Sequence, residues 1–131
     1  IYIKGKAESR SEKTAERENK MEHAEIKLSG SEKQIAWATD IINGARENIA
    51  HGIEHHTLGG GVNIVTGERR KQPDDALWIE GYEKLSESFE KLVAKTTEAK
   101  DIIENRDRYT GSSLMWYVNK YVLKMQNLKN R

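Results

Sequence analysis

Ser31-Glu32-Lys33-Gln34-Ile35-Ala36-Trp37-Ala38-Thr39-Asp40-Ile41-Ile42-Asn43-Gly44-Ala45-Arg46-Glu47-Asn48-Ile49 sets the architecture of this chain. Ser31 followed three residues later by Gln34 is a capping box, so a helix is expected from about Glu32. Ile35, Ala38, Ile41, Ile42, Ala45 and Ile49 then recur at helical spacing, and Ile53 extends the stripe. Trp37 falls about 40° off it at 100° per residue. It is expected to cover the edge of a core, with a partner surface as the alternative. A long helix with one apolar stripe needs other helices to pack against, and the rest of the chain supplies them.

On the C-terminal side, Asp74 or Asp75 can cap a second helix. Leu77, Trp78, Tyr82, Leu85, Phe89, Leu92 and Val93 carry it to about Lys95. Thr96-Thr97 interrupts. Ala99, Ile102 and Ile103 line a short helix ending near Arg106. Tyr109-Thr110-Gly111-Ser112 is a turn, with Ser112 or Ser113 as the cap of a last helix. That helix contains Leu114, Trp116, Tyr117, Val118, Tyr121, Val122, Met125 and Leu128. Between the first two long helices, Gly59-Gly60-Gly61 breaks the chain, Val62-Asn63-Ile64-Val65 reads as a strand, and Glu68 to Pro73 reads as a polar loop. The expected fold is mainly α: three to four packed helices, a Gly-rich loop, and a two-stranded ribbon pairing residues 1–3 with 62–65. Residues 7–27 are rich in helix formers and nearly free of apolar side chains before Met21. They read as a polar, charged helical arm or linker spanning 1–27, ahead of a single helical domain at 28–131.

The 131 residues suit one domain. With no cysteine, disulfides, zinc-thiolate sites and thiol catalysis are excluded. No apolar run approaches the roughly 20 residues of a membrane span. A cytoplasmic location, no membrane partner and no cofactor are expected. The 22 basic and 21 acidic residues are unevenly placed. Residues 29–75 and 76–108 are each net −2, whereas 109–131 carry Lys120, Lys124, Lys129 and Arg131 and no acid.

That basic end also holds Trp116, Tyr117 and Tyr121. Such a helix can bind nucleic acid through phosphate contacts and base stacking. The simpler expectation is that its aromatics are core, with its lysines complementing the helix dipole. Arg69, Arg70 and Lys71 form a second basic cluster. The candidate binding residues are therefore Arg69, Arg70, Lys71, Trp116, Tyr117, Lys120, Tyr121, Lys124 and Arg131.

His51-Gly52-Ile53-Glu54-His55 matches H-x-x-E-H, in which two imidazoles one helical turn apart hold zinc and the glutamate acts as general base. His51 and His55 are the candidate metal ligands, with His56 adjacent. Against this, Gly52 sits inside the motif, and three glycines follow at once, which suggests the helix is ending. The glycine run precedes a strand and follows a helix, the reverse of a phosphate-binding loop.

The run from Leu28 to Ile41 is similar to L-x-G-S-x-K-Q-I-x-W-A-x-x-I, a segment of poorly characterised accessory proteins of bacteria, phages and mobile elements. Ala99-Lys100-Asp101-Ile102-Ile103-Glu104-Asn105-Arg106 resembles its second piece, A-K-x-x-I-x-N-R. Together they cover about one sixth of the chain. Ile42 and Ile102 depart from the basic and aromatic residues expected there. The resemblance implies a phage or mobile-element setting and no particular activity; separately, Lys33, Asn105 and Arg106 are candidates to bridge the two pieces. The leading expectation is a non-enzymatic interaction module for a protein or nucleoprotein partner, such as an inhibitor of a host defence nuclease, for which the acidic 76–108 segment would suit occlusion of a nucleic-acid groove. Direct nucleic-acid binding by the last helix is the first alternative, and a metal-dependent hydrolase is the second.

Overall fold

A computed structural model describes residues 23–129 of the chain. Its elements are α1 (Glu32–Leu58), β1 (Gly61–Val62), β2 (Arg69–Arg70), α2 (Asp75–Lys95), the short α3 (Ala99–Glu104), a 3-10 turn (Arg106–Tyr109) and α4 (Gly111–Lys129). The chain is mainly helical, with four α-helices and one small antiparallel ribbon among the described residues.

Helix α1 starts as its sequence dictates. The Ser31 hydroxyl accepts from Gln34 N–H, and the Gln34 side chain accepts from Ser31 N–H, both at 3.1 Å. Its stripe is buried at Ala38, Ile42, Ala45, Ile49 and Ile53. Tyr82, Phe89 and Val93 of α2, Ala99 and Ile102 of α3, and Leu114, Val118 and Val122 of α4 complete one core. Each of the buried isoleucines contributes roughly 1.5–3 kcal/mol relative to exposure.

Helices α1 and α2 run antiparallel, since His56 meets Asp75 at one end and Arg46 meets Glu90 further along. Helices α2 and α4 are also antiparallel: Phe89 packs on Tyr109, while Gly81 faces Val118 and Tyr121. Two glycines act as packing notches. A methyl at Gly52 would fall 2.3–2.6 Å from the distal ring atoms of Tyr82, and one at Gly81 would fall 2.8 Å from Val118. Gly52 therefore does not end α1; it lets an aromatic ring of α2 lie against the helix, which continues to Leu58.

The described ribbon forms within the stretch between α1 and α2. Gly61 and Val62 pair with Arg70 and Arg69, and residues 1–3 lie outside the described residues. The polar stretch 68–73 thus supplies the second strand. The turn between them explains why. Asn63 Oδ1 accepts from the N–H groups of Val65 and Thr66 at 2.9 and 3.1 Å, and Asn63 O accepts from Gly67 N–H at 2.7 Å. This side-chain-held turn folds the chain back at once, so Ile64 and Val65 are turn residues, not strand, and are 95% and 89% exposed. Gly67 has φ +74°, and Gly59 has φ +118° with its Cα against the Arg70 carbonyl, two positions that favour glycine.

Within the arm, residues 23–28 are extended, not helical. Ala24, Ile26 and Leu28 alternate onto the core while Glu25 and Lys27 face water. Tertiary contact overrides helix propensity here: Ala24 N–H donates to Glu90 Oε1 (2.8 Å), and Ala24 O accepts from Arg46 Nη2 (2.8 Å). The helix expected over 7–22 lies outside the described residues. Beyond Leu28, Ser29 bridges to the α2–α3 link, with Ser29 N–H on Thr97 O (2.8 Å) and Ala99 N–H on Ser29 O (3.0 Å).

Two caps also differ. Neither Asp74 nor Asp75 caps α2 in the usual way: Asp74 Oδ2 accepts from Trp78 Nε1 (3.2 Å), and Asp75 turns back to the ribbon. For α4, Thr110 serves instead of Ser112 or Ser113. Its hydroxyl accepts from Ser113 N–H at 3.2 Å, three residues on.

Candidate interaction face

Helix α4 buries Leu114, Val118 and Val122, a stripe at four-residue steps that sits on α1 and α2. At 100° per residue, Trp116 lies about 160° around the helix from Val118, with Lys120, Leu123 and Asn127 close to the same line. The outward side of α4 is therefore Trp116, Lys120, Leu123 and Asn127, flanked by Tyr117 and Lys124. The expectation that these aromatics are core does not hold for Trp116 or Tyr117, which are 55% and 47% exposed. A helix in contact with two neighbours buries one stripe, and the branched aliphatics take it.

The exposed rings are ordered with respect to one another. Trp116 and Tyr117 meet edge to face, with centroids 5.2 Å apart, and Lys120 Nζ stands 4.4 Å above the Trp116 ring. Lys120, Leu123, Lys124, Asn127 and Leu128 line a shallow depression of about 460 Å³. No acidic side chain occurs in α4. Glu80 of α2 reaches it from the side, and its carboxylate accepts a hydrogen bond from the Tyr121 hydroxyl. That bond holds the phenol proton and pushes the Tyr121 pKa up to about 12. Tyr121 is thus a flank fastening and not part of the outward face. Arg131 lies outside the described residues.

The second basic cluster divides. Arg69 is exposed but engaged: its Nη1 donates to Gly59 O (3.1 Å) and to His55 Nδ1 (2.9 Å). Arg70 and Lys71 are exposed.

At the end of α1, the histidines are committed to packing. A guanidinium only donates, so His55 Nδ1 must accept, which leaves its proton on Nε2 and the ring neutral. Burial, the neighbouring His56 and Arg69 all lower the His55 pKa. His56 does the reverse, its Nδ1 donating to Asp75 Oδ1 at 2.8 Å while its ring stacks on Trp78 at 5.0 Å and 9°. Asp75 also accepts from Gly60 N–H (3.0 Å) and Gln72 N–H (2.6 Å). Burial alone would raise the Asp75 pKa; the bonds from Gln72, His56 and Gly60 outweigh it, and the net shift is downward. This network ties the ribbon to α1 and α2.

His51 is exposed on the same helix, so the H-x-x-E-H spacing is real, but its second histidine is engaged by a cation. Among the described residues, no three His, Asp or Glu side chains lie together as a metal-binding group.

A third polar site is one that no sequence motif announces. Arg46 grips Glu90 in a fork, Nε to Oε2 at 2.9 Å and Nη2 to Oε1 at 2.7 Å, with side chains only 12% and 9% exposed. A signal for it exists: Arg46 follows Ile42 by four residues and Glu90 follows Ser86 by four, so opposite charges sit on the inward stripes of facing helices.

Residues 28–41 and 99–106 approach each other at two points. Gly30 packs near Ala99 Cβ, and the Arg106 guanidinium lies 5.3 Å from the centre of the half-exposed Trp37 ring. Asn105 stays local, its Nδ2 on Asp101 O at 2.8 Å. No protein-family model, curated protein or solved structure gives a significant match to the chain. No helix among the described residues is long and apolar enough to cross a membrane.

Proposed function

We propose that the protein is a non-enzymatic interaction module that binds a protein or nucleoprotein partner through the outward face of α4. The observation that carries this reading is Trp116, a large apolar ring left 55% exposed on the side of α4 opposite the core, with a lysine over its face. An exposed tryptophan beside basic side chains is the usual composition of a binding anchor. Stability does not require it there, since the buried stripe of α4 is already complete. In the phage or mobile-element setting that the sequence resemblance implies, inhibition of a host defence nuclease is one such role, with the basic face of α4 suited to the nucleic acid of a nucleoprotein and not to the basic groove that holds it.

The test is retention of purified host nucleases by the immobilised protein, with Trp116→Asp as control. Retention at micromolar concentration that Trp116→Asp abolishes is the expected result. Retention by both proteins alike, or by neither, overturns the proposal.

A further inference from the structure

The outward face of α4 has the chemistry of a particular ligand. Resting on the reading of α4 as the docking face, we infer that it binds single-stranded nucleic acid, with a base stacked on Trp116 and the phosphate backbone running along Lys120 and Lys124.

Charge selects the ligand first. Helix α4 carries Lys120, Lys124 and Lys129 and no acid, while Glu80 is held at the flank by Tyr121. A polyanion meets no acidic side chain of α4 along the outward line. Second, Lys120 and Lys124 are one turn apart, which is about 6 Å of rise on the same side of the helix. That spacing follows a single backbone.

Third, Trp116 is 55% exposed and Lys120 Nζ covers one face of its ring. The cation stands where a base would lie, and an ammonium on a long stem can move to a phosphate as the base takes the ring. Stacking needs an exposed base face, which a duplex hides and a single strand offers. Tyr117, edge-on at 5.2 Å, steadies the tryptophan plane.

A protein partner is the competing occupant. It has no need of a helix free of acids, because a protein surface presents both signs. A bound strand accounts at once for the exposed ring and for the absence of acidic side chains from α4 itself.

The experiment is a titration of the full chain with an oligothymidylate of about 15 nucleotides, within the footprint of small single-strand binders. Binding is followed by anisotropy and by tryptophan fluorescence, at about 50 mM and about 200 mM salt. The expected result is micromolar binding with a logarithmic salt slope of about −1.4, since each phosphate contact on a single strand contributes about −0.7. Trp116→Ala should weaken binding about tenfold, in line with loss of one stacked base. Trp116→Phe should keep most of the affinity but lose the fluorescence quenching. Lys120→Glu with Lys124→Glu should cost at least tenfold and flatten the salt slope. A duplex of equal length should bind at least tenfold more weakly.

Circular dichroism checks that the variants fold, as expected for exposed positions. No binding by wild type at about 100 µM, binding indifferent to these substitutions, or a duplex bound as tightly as the single strand each overturns the inference.

A photo-crosslinking residue in place of Tyr117 separates the two readings. Protein adducts that survive nuclease treatment, in a protein that ignores the oligonucleotide, sink the strand and leave the docking face standing. Neither adducts nor oligonucleotide binding sinks both.

Discussion

Replacing Gly52 by alanine sets two effects of known sign against each other. Gly52 lies inside α1, where alanine is intrinsically the better helix former by about 0.8–1.0 kcal/mol. The added methyl, however, would lie 2.3, 2.5 and 2.6 Å from Cζ, Cε2 and Cε1 of Tyr82, where carbon atoms rest at about 3.5–4.0 Å. The ring must retreat by more than 1 Å, on the order of that difference. Tyr82 is only 7% exposed and is bordered by Trp78 and His56 at 6.4 and 6.5 Å, so the strain stays in the core. Overpacking of this kind costs about 1–3 kcal/mol, and a clash this severe belongs near the upper end. The expected net loss for Gly52→Ala is about 1–2 kcal/mol, a fall in Tm of roughly 3–6 °C per kcal/mol for a chain of this size.

Gly44→Ala is the internal control. It is in the same helix with nothing within 4 Å of its added methyl, so it should stabilise by about 0.8–1.0 kcal/mol. In a Gly44→Ala, Tyr82→Ala background, Gly52→Ala should change sign and stabilise, since the atoms it strikes are gone. Urea and thermal unfolding of the set form a double-mutant cycle with an expected coupling of about 2–3 kcal/mol. Should Gly52→Ala raise Tm in the wild-type chain as Gly44→Ala does, the notch does not exist.

Arg46→Ala should cost about 3–5 kcal/mol by leaving Glu90 buried without its cation, and it should expose the bonds before Leu28 to protease; unchanged cleavage there would contradict the clamp. Ser31→Ala should remove about 1 kcal/mol through the lost cap, read by urea denaturation. Acid should act in two windows. The His55 pKa is lowered on folding, so the unfolded chain binds more protons just below pH 6.5 and stability falls as pH drops through that range; His55→Gln should flatten this slope in pH-dependent melts. The Asp75 carboxyl is likewise lowered, so its contribution is whole above its ordinary value of 3.8 and is lost as pH falls through the folded value. Asp75→Asn should weaken the protein at neutral pH and blunt that second loss, and an unaltered acid limb would refute the assignment.

The parts of this fold legible in the sequence are those set by near neighbours. The capping box and the α1 stripe follow from residues three and four apart, and both are found as expected. The same rule fails on α4 because Trp116, Tyr117 and Val118 are adjacent: a helix of 3.6 residues per turn cannot bury all three, and only the neighbouring helices decide which. For the ribbon, β-branched content overstates the first strand, because the turn is made by the Asn63 carboxamide, and it gives no hint that two arginines pair with Gly61 and Val62. Residues 23–27 look helical by composition, yet alternate burial at Ala24, Ile26 and Leu28 is a period of two, which their short length hides. Asp75 reads in sequence only as a helix start, because its partners Gly60 and His56 are distant along the chain. For the interaction face, charge and residue type are readable; exposure, on which its function turns, is not.

The grip on Ala24 has a mechanical meaning. Its N–H and its carbonyl are held by the two members of one ion pair, Glu90 and Arg46. Tension arriving along the chain from before residue 23 would therefore load that pair first, in shear across α1 and α2, with the Ser29 bridge to Thr97 and Ala99 next in line. The Ser31 cap at the start of α1 would feel the force only after both had yielded. Ala24 is held as a rope is by a cleat: a pull strong enough to pass it opens the polar seam before it disturbs the apolar core.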